Sequence, residues 1–194
     1  MSHEHVDAAV TAMLRVLGPP TADDWTVPAG TLGWTCRQTA AHIGHDLPAY
    51  AGQLAARARP TDAYLLPVDL TVRPSRFAGR GALQSVTACG GLLSSAPATA
   101  GPDARAWHRG SCDPTDFAAM GVAETLPHTY DITQGLSVDR LPPAELSGAV
   151  LDRLFPAAPP GDPARVLLLW CTGRGDLDGL PRRTSWVWEA ALPD

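Results

Sequence analysis

The chain has 194 residues, a hydrophobic share of 45% and a formal net charge of −5. These values are typical of one globular domain with an appendage and a buried core. The negative charge and the absence of a basic cluster argue against nucleic acid or an anionic membrane as a partner, and the absence of lysine excludes a lysine Schiff base.

Cysteine usage and hydropathy bear on where the protein works. The four cysteines are widely separated and include no C-x-x-C pair, which is unlike a disulfide framework, so we expect them to be reduced. No apolar run approaches the ~20 residues of a membrane span, and the first residues lack the features of a signal peptide. We therefore expect a cytoplasmic protein. Its expected partner is a small-molecule substrate, and it is expected to work as a monomer or a homodimer.

Apolar periodicity predicts four helices before residue 137. The first runs from Val6 to Leu17 and ends at a Gly-Pro-Pro triplet. The second begins after Thr35, which forms a capping box with Gln38, and continues to about Arg57.

The third and fourth helices complete a bundle. The third contains Leu83 and Leu93, and its Gly90 and Gly91 leave room for another helix to approach closely, at some cost in helix propensity. The fourth begins near Asp113. A short first connection and a long, proline-rich second connection suit a four-helix bundle with a crossover.

The tail predicts a smaller unit. Short helices are expected around residues 144–155 and 164–171, separated by a proline-rich linker at 156–163, and the final "SWVWEA" is strand-like. We expect a bundle over residues 1–137 and an extension over residues 138–194 that packs on it.

The fourth helix carries ionisable groups among core-type residues. Glu124 and His128 are four residues apart and project from one face, and Asp131 follows about one turn later. Phe117 and Ile132 share their sector. The opposite sector is also apolar, so the helix can be buried on both sides.

The second helix has a polar sector beside its apolar stripe. It contains His42, His45, Asp46 and Gln53. This sector faces either water or a polar cavity.

Two interpretations fit these groups. A carboxylate and an imidazole at positions i and i+4 are commonly a surface pair. The combination of Glu124 and His128 with His42 on a second helix favours a metal site, because bundles build such sites from facing helices. Two histidines and one carboxylate leave an open position on zinc, as in catalytic sites, and the same ligands suit non-haem iron.

Three segments resemble a known family. The runs "GWTCRQTAAHIGHDLPAYAGQL" and "DPTDFAAMGVAETLPHTYDITQGL" resemble the two ligand segments of the DinB-like superfamily, in its mycothiol-dependent maleylpyruvate isomerase branch. The run "LLLWCTGRGDLDGLPRRTSWVWE" resembles that branch's C-terminal signature. The resemblance implies a mainly α fold, an up-up-down-down four-helix bundle with a small C-terminal helical and strand extension.

The resemblance also implies a site and a reaction. By motif, the ligands of a divalent metal, usually zinc, are His42, Glu124 and His128. The sulfur of mycothiol, a cysteinyl pseudodisaccharide, is the expected fourth ligand, and its thiolate adds to a small electrophile, giving thiol transfer or cis/trans isomerisation. Pro127 stands where the family favours an aliphatic residue, and a proline inside a helix removes one backbone hydrogen bond, so we expect a kink or bulge between the two ligands on the fourth helix.

Two other functions remain open. One is a metal-dependent hydrolase or isomerase that activates water without a thiol. The other is a bundle that binds a metal or a small molecule without turnover, because a fold does not determine a function.

Further residues have predicted roles. His45 and Asp46 either orient a ligand or move a proton, or form a solvated helix face. Asp131 either holds the tautomer of His128 or satisfies backbone groups. Arg76 and Arg80, before the third helix, either clamp a substrate carboxylate or lie in solvent.

Several residues are expected to have no part in the chemistry. Cys112 has no neighbouring base in the sequence and is a weak candidate for a nucleophile. His108 is expected to be an exposed bystander. Packing is the expected role of five tryptophans: Trp34, Trp107, Trp170, Trp186 and Trp188.

Overall fold

The computed structural model describes residues 1–18, 25–62 and 78–192. The described residues form six helices and one two-stranded antiparallel hairpin. In chain order these are α1 (His3–Leu17), α2 (Cys36–Ala55), α3 (Ala78–Thr99), β1 (Ala106–Trp107), β2 (Ser111–Cys112), α4 (Pro114–Gly135), α5 (Ala144–Leu154) and α6 (Ala164–Cys171).

Side-chain caps determine where the two site-bearing helices begin. Thr35 precedes α2, accepts a hydrogen bond from the backbone N–H of Gln38 and forms the predicted capping box. Asp113 does the same for α4 with Asp116, and Pro114 occupies the first helical position. These caps fix the register in which the polar side chains of α2 and α4 enter the bundle.

The first four helices form the expected bundle. Both α1 and α2 pack against α3 and α4, so α1 and α2 occupy opposite corners. Gly90 lies where α3 meets α1, and a Cβ there would lie 2.7 Å from Val10 Cγ2, which confirms the predicted close approach. Gly91 has no neighbour within 4 Å of such a Cβ and plays no such part. The mainly α fold with a small extension is confirmed.

Helix α4 is the central element. Every residue from Asp116 to His128 is buried, which confirms that the helix is covered on both sides. Pro127 does not interrupt it, since α4 is continuous from Pro114 to Gly135. The hydroxyls of Thr125 and Thr129 bond backbone carbonyls one turn back in this stretch, a pattern that lets a helix bend without ending.

The extension follows α4 and packs on it. Both predicted short helices are confirmed as α5 and α6, α5 packs on α4 and α6, and side chains of the bundle and the extension share one hydrophobic cluster. The division into residues 1–137 and 138–194 stays a prediction.

The predicted strand in "SWVWEA" is wrong. Residues 185–190 form no strand, because their backbone bonds a helix end instead of a partner strand: Glu189 N–H donates to the carbonyl of Leu154. The strands of the described chain lie in the β1–β2 hairpin, which was not predicted because each strand has two residues. Across the described ranges, no helix combines the length and the apolar character that crossing a membrane requires.

Candidate metal centre

Three side chains from α2 and α4 converge in the bundle. Glu124 Oε2 lies 3.3 Å from His128 Nε2 and 3.6 Å from His42 Nε2. The two imidazole rings meet edge to face, with centroids 4.9 Å apart. One ligand atom from each residue lies within 4.8 Å of the other two. Among the described residues, these three side chains form the cluster that could bind a metal ion.

The two separations from Glu124 fit a shared divalent ion. Ligands about 2.0–2.1 Å from a tetrahedral zinc lie roughly 3.3 Å apart, close to the two Glu124 distances. Glu124 and His128 are buried, and His42 is half-buried. Two imidazoles and one carboxylate therefore surround a position that can hold an ion and leave it open on one side.

His42 is held from two directions. The Oδ2 atom of Asp46, one turn along α2, lies 3.3 Å from His42 Nε2. The exposed ring of Trp34 lies against His42, with centroids 4.8 Å apart. The other oxygen of Asp46 lies 3.2 Å from His45 Nδ1. Asp46 thus contacts a candidate ligand, and His45 contacts only Asp46 among these groups.

Glu124 is ionised in this setting. Burial raises the pKa of its carboxyl, but hydrogen bonds from His128 and His42 outweigh burial and lower the pKa to about 2. The phenol of Tyr50 donates to the second oxygen at 3.2 Å. Both carboxylate oxygens therefore have partners, and the group carries the negative charge that a cation needs.

His128 is oriented by a carboxylate. Its Nδ1 lies 3.1 Å from Asp131 Oδ2, so the Nδ1 proton faces that carboxylate. Nε2 donates to Glu124 when it is protonated, and it is the nitrogen that would offer its lone pair to an ion once that proton is lost. Burial lowers the pKa of His128, yet hydrogen bonds to Asp131 and Glu124 outweigh burial and raise it. Arg174 from the extension holds Asp131 in turn through its Nε, at 2.9 Å and 3.1 Å from the two carboxylate oxygens.

A cavity of about 620 Å³ opens beside Glu124. Its walls come from α2, the β1–β2 hairpin and the extension, and this volume is typical of a small-molecule site. The lining includes aromatic, charged and polar side chains: Asp46, Tyr50, Gln53, Asp62, Trp107, His108, Arg109, Trp186 and Trp188. Two residues of the polar sector of α2, Asp46 and Gln53, therefore face a cavity.

Some predicted residues lie elsewhere. Arg76 falls outside the described residues. Arg80 lies in the first turn of α3 with an exposed side chain and is not among the residues that line this cavity. Their substrate-binding role stays a prediction. Cys112 is buried in β2, and burial followed by the charge of Asp116 raises the pKa of its thiol to about 12.

Other expectations need correction. His108 is half-buried in the cavity wall, with its ring edge-on to Tyr50 at 5.5 Å, so it is not an exposed bystander. Three of the tryptophans, Trp107, Trp186 and Trp188, line the cavity instead of serving only packing. No local pattern in the sequence indicates these placements, because the hairpin and the extension approach α2 only through tertiary contacts.

Comparison with protein families places most of this site in one domain. A family model described as the mycothiol maleylpyruvate isomerase N-terminal domain matches residues 6–133, which include all three candidate ligands and Asp131. Neither the curated proteins nor the solved structures gave a match. The match ends before the extension, so Arg174 and the tryptophans at 186 and 188 lie beyond it.

Proposed function

The chain belongs to the family of mycothiol maleylpyruvate isomerase N-terminal domains, and we propose that it is a metal-dependent enzyme using mycothiol as thiol cosubstrate. The reaction would be transfer of the thiol to a small electrophile, or cis/trans isomerisation of that electrophile. The observation that carries this proposal is the convergence of His42, Glu124 and His128 at separations that suit one ion.

The ligand types favour zinc. Two imidazoles and one carboxylate form a zinc set with an open position, and iron and nickel are the alternatives. When bound, the ion would lower the pKa of a thiol at the open position, so that the sulfur is a thiolate near neutral pH. The protein's own residues would position the three ligands, form the walls of the substrate cavity and accept the proton that the thiol loses.

Residues around the ligands have separate roles in this proposal. Asp46 lies in the cavity wall, and its Oδ2 is 3.3 Å from His42 Nε2. It would accept the proton that a thiol loses beside the candidate ligands. His45 would orient Asp46 through its 3.2 Å contact. Asp131 would keep His128 in the tautomer that offers Nε2.

The cavity supports a small-molecule substrate. Tyr50, Trp107, Trp186 and Trp188 give it apolar walls, while Asp62 and Arg109 add charged groups at its edge. Such walls suit a ligand with both apolar and hydroxyl-bearing parts. We place the enzyme in the cytoplasm, as a monomer or a homodimer, and its four free cysteines fit a reducing compartment.

Metal analysis tests the first half of the proposal. Purified protein should contain close to one divalent ion per chain, and replacing His42, Glu124 and His128 together by Ala should remove it. His3→Ala is the matched control, because His3 lies on α1 and should leave the metal content unchanged. Stoichiometric metal in the triple variant would show that the ion is bound elsewhere.

Proton release tests the second half. A thiol that binds the ion as thiolate must lose its proton, so mycothiol added to holo-protein near pH 7 should release close to one proton per site, measured below the pKa of metal-bound water so that no displaced hydroxide takes the proton up. A free thiol has a pKa of about 8.5 and would release almost none. Cobalt-substituted protein should gain a sulfur-to-metal charge-transfer band on the same titration.

The outcomes distinguish the three functions. Mycothiol binding with neither proton release nor the charge-transfer band would contradict the thiolate mechanism. Metal-dependent hydrolysis without thiol binding would identify the water-activating alternative. If the protein binds the metal but consumes no thiol with any electrophile in a screen, the result would support the non-catalytic binding protein.

A further inference from the structure

Arg174 is a buried arginine that the extension contributes to the bundle. It follows α6, and Gly173 before it adopts a left-handed φ of +71°, where a Cβ would lie 2.8 Å from the carbonyl oxygen of Arg183. This turn directs the Arg174 side chain inward, where 7% of it is exposed. Its Nη1 donates to the carbonyl of Thr172 at 2.9 Å, which fixes the guanidinium from the other side.

The guanidinium of Arg174 makes a bidentate contact with the carboxylate of Asp131. Nε lies 2.9 Å and 3.1 Å from the oxygens of Asp131, and Nη2 lies 2.8 Å from Asp131 Oδ2. A two-pronged contact of this kind fixes the plane of the carboxylate as well as its position. The side chain of Asp131 is 3% exposed, so water does not compete for it.

The same carboxylate oxygen reaches a candidate metal ligand. Asp131 Oδ2 lies 3.1 Å from His128 Nδ1. Arg174 Nη2 also lies 3.1 Å from that Nδ1, and since both nitrogens carry hydrogens in the tautomer assigned above, the carboxylate accepts from each of them. A chain of contacts therefore runs from the extension through Asp131 to His128.

We propose that Arg174 is a positioning residue for the metal ligand His128, so that the extension completes a metal centre begun by the bundle. The inference rests on the proposed function, because it assumes that His128 binds an ion. It goes further in giving the extension, which lies outside residues 6–133, a defined part in metal binding.

A second arginine of the extension provides a matched control. Arg153 on α5 also pairs with a buried aspartate of α4, Asp116, and donates to the carbonyl of Ala190 at 2.7 Å. Asp116 lies at the opposite end of α4 from His128 and bonds the backbone N–H of Asp113. Losing Arg153 therefore loosens the extension without touching a metal ligand.

The experiment compares Arg174→Gln with Arg153→Gln by zinc competition against a chromophoric chelator. Contacts that orient a metal ligand are worth about 10- to 100-fold in affinity, and we expect R174Q to weaken zinc binding at least about tenfold. R153Q should change it less than about threefold. Both variants should melt at lower temperature than the parent, so stability alone does not separate them.

Two further variants test the pathway. Arg174→Lys keeps the charge but not the two-pronged contact, and we expect an intermediate affinity for zinc. If R174Q does not fold, R174K and D131N carry the test. With Asp131→Asn as the second site, the effects of D131N and R174Q should be less than additive, because both act through His128. The visible spectrum of cobalt-substituted protein should change in R174Q and R174K but not in R153Q.

Each outcome has one meaning. Equal zinc affinity and an unchanged cobalt spectrum in R174Q and R174K would overturn the inference while leaving the proposed metal site intact. Equal losses in R174Q and R153Q would overturn it by showing a general effect of loosening. Absence of metal from the parent protein would overturn the proposed function, and the inference with it.

Discussion

The two ends of α4 carry the same pair of residue types for different purposes. Near the N-terminal end, Asp116 pairs with Arg153; near the C-terminal end, Asp131 pairs with Arg174. Each pair joins the bundle to the extension through a buried carboxylate. What differs is the other partner of the carboxylate, a backbone N–H that begins the helix for Asp116 and the imidazole of His128 for Asp131.

This difference shows that an ion pair has no function by itself. Arg153 has 24% of its side chain exposed and also bonds the carbonyls of Glu189 and Ala190, so it has other partners if Asp116 is lost. Arg174 is 7% exposed, and apart from Asp131 it contacts the carbonyl of Thr172, Nδ1 of His128 and the ring of Trp186, none of which is an anion. We interpret the first pair as an anchor and the second as part of the site.

The largest expected effect is a difference in stability between two aspartate variants of the metal-free protein. Asp131→Ala leaves a buried guanidinium without its anion, a change that typically costs about 3–5 kcal/mol of unfolding free energy. Asp116→Ala loses one cap and one anchor, and should cost about 1–2 kcal/mol. Urea unfolding followed by circular dichroism measures both.

The order of the two costs is the critical result. Equal or inverted costs would mean that Arg174 finds other partners and that the two pairs are equivalent anchors. Metal content supplies a second comparison, since D131A should lose bound zinc and D116A should retain it.

A smaller effect is expected at the opposite side of the metal centre. Tyr50→Phe removes the hydroxyl that donates to Glu124 Oε1 but keeps the ring. A neutral hydrogen bond contributes about 1 kcal/mol, so zinc affinity should fall about fivefold, less than in R174Q. Tyr130→Phe is the control, because Tyr130 lines a different cavity with Thr129 and Thr133. A loss in Y50F as large as in R174Q would remove the distinction between charged and neutral support of the ligands.

Local sequence signals predicted the part of the site that lies within one helix or two. The capping box at Thr35 set the register of α2, and the four-residue spacing of Glu124 and His128 placed both on one face of α4. Whether Pro127 would break that spacing could not be read from the sequence, since the outcome depends on how the surrounding helices pack.

Contacts between distant segments were not predictable in the same way. Arg174 lies 43 residues after Asp131 and stands in a turn without helical or strand periodicity. His108 and the cavity tryptophans likewise depend on a two-residue hairpin and on a tail that forms no strand. The tail resembles the family's C-terminal signature, but no pattern within it distinguishes this arginine from its neighbours.

The smallest expected effect concerns Cys112, which lies beside the anchor end of α4. A pKa of about 12 leaves roughly one thiol in ten thousand ionised at pH 8, and the side chain is fully buried. Iodoacetamide should therefore leave Cys112 unmodified in folded protein and alkylate it in urea, as followed by peptide mass spectrometry.

Because Leu192 of the extension bonds the backbone of Ser111 beside Cys112, R153Q should speed the alkylation of Cys112 in folded protein by loosening that cover, whereas R174Q should speed it less. Rapid alkylation of the parent protein with loss of activity would contradict the assignment of the Asp116 end of α4 to anchoring and of the Asp131 end to the site. It would also make Cys112 a candidate nucleophile again.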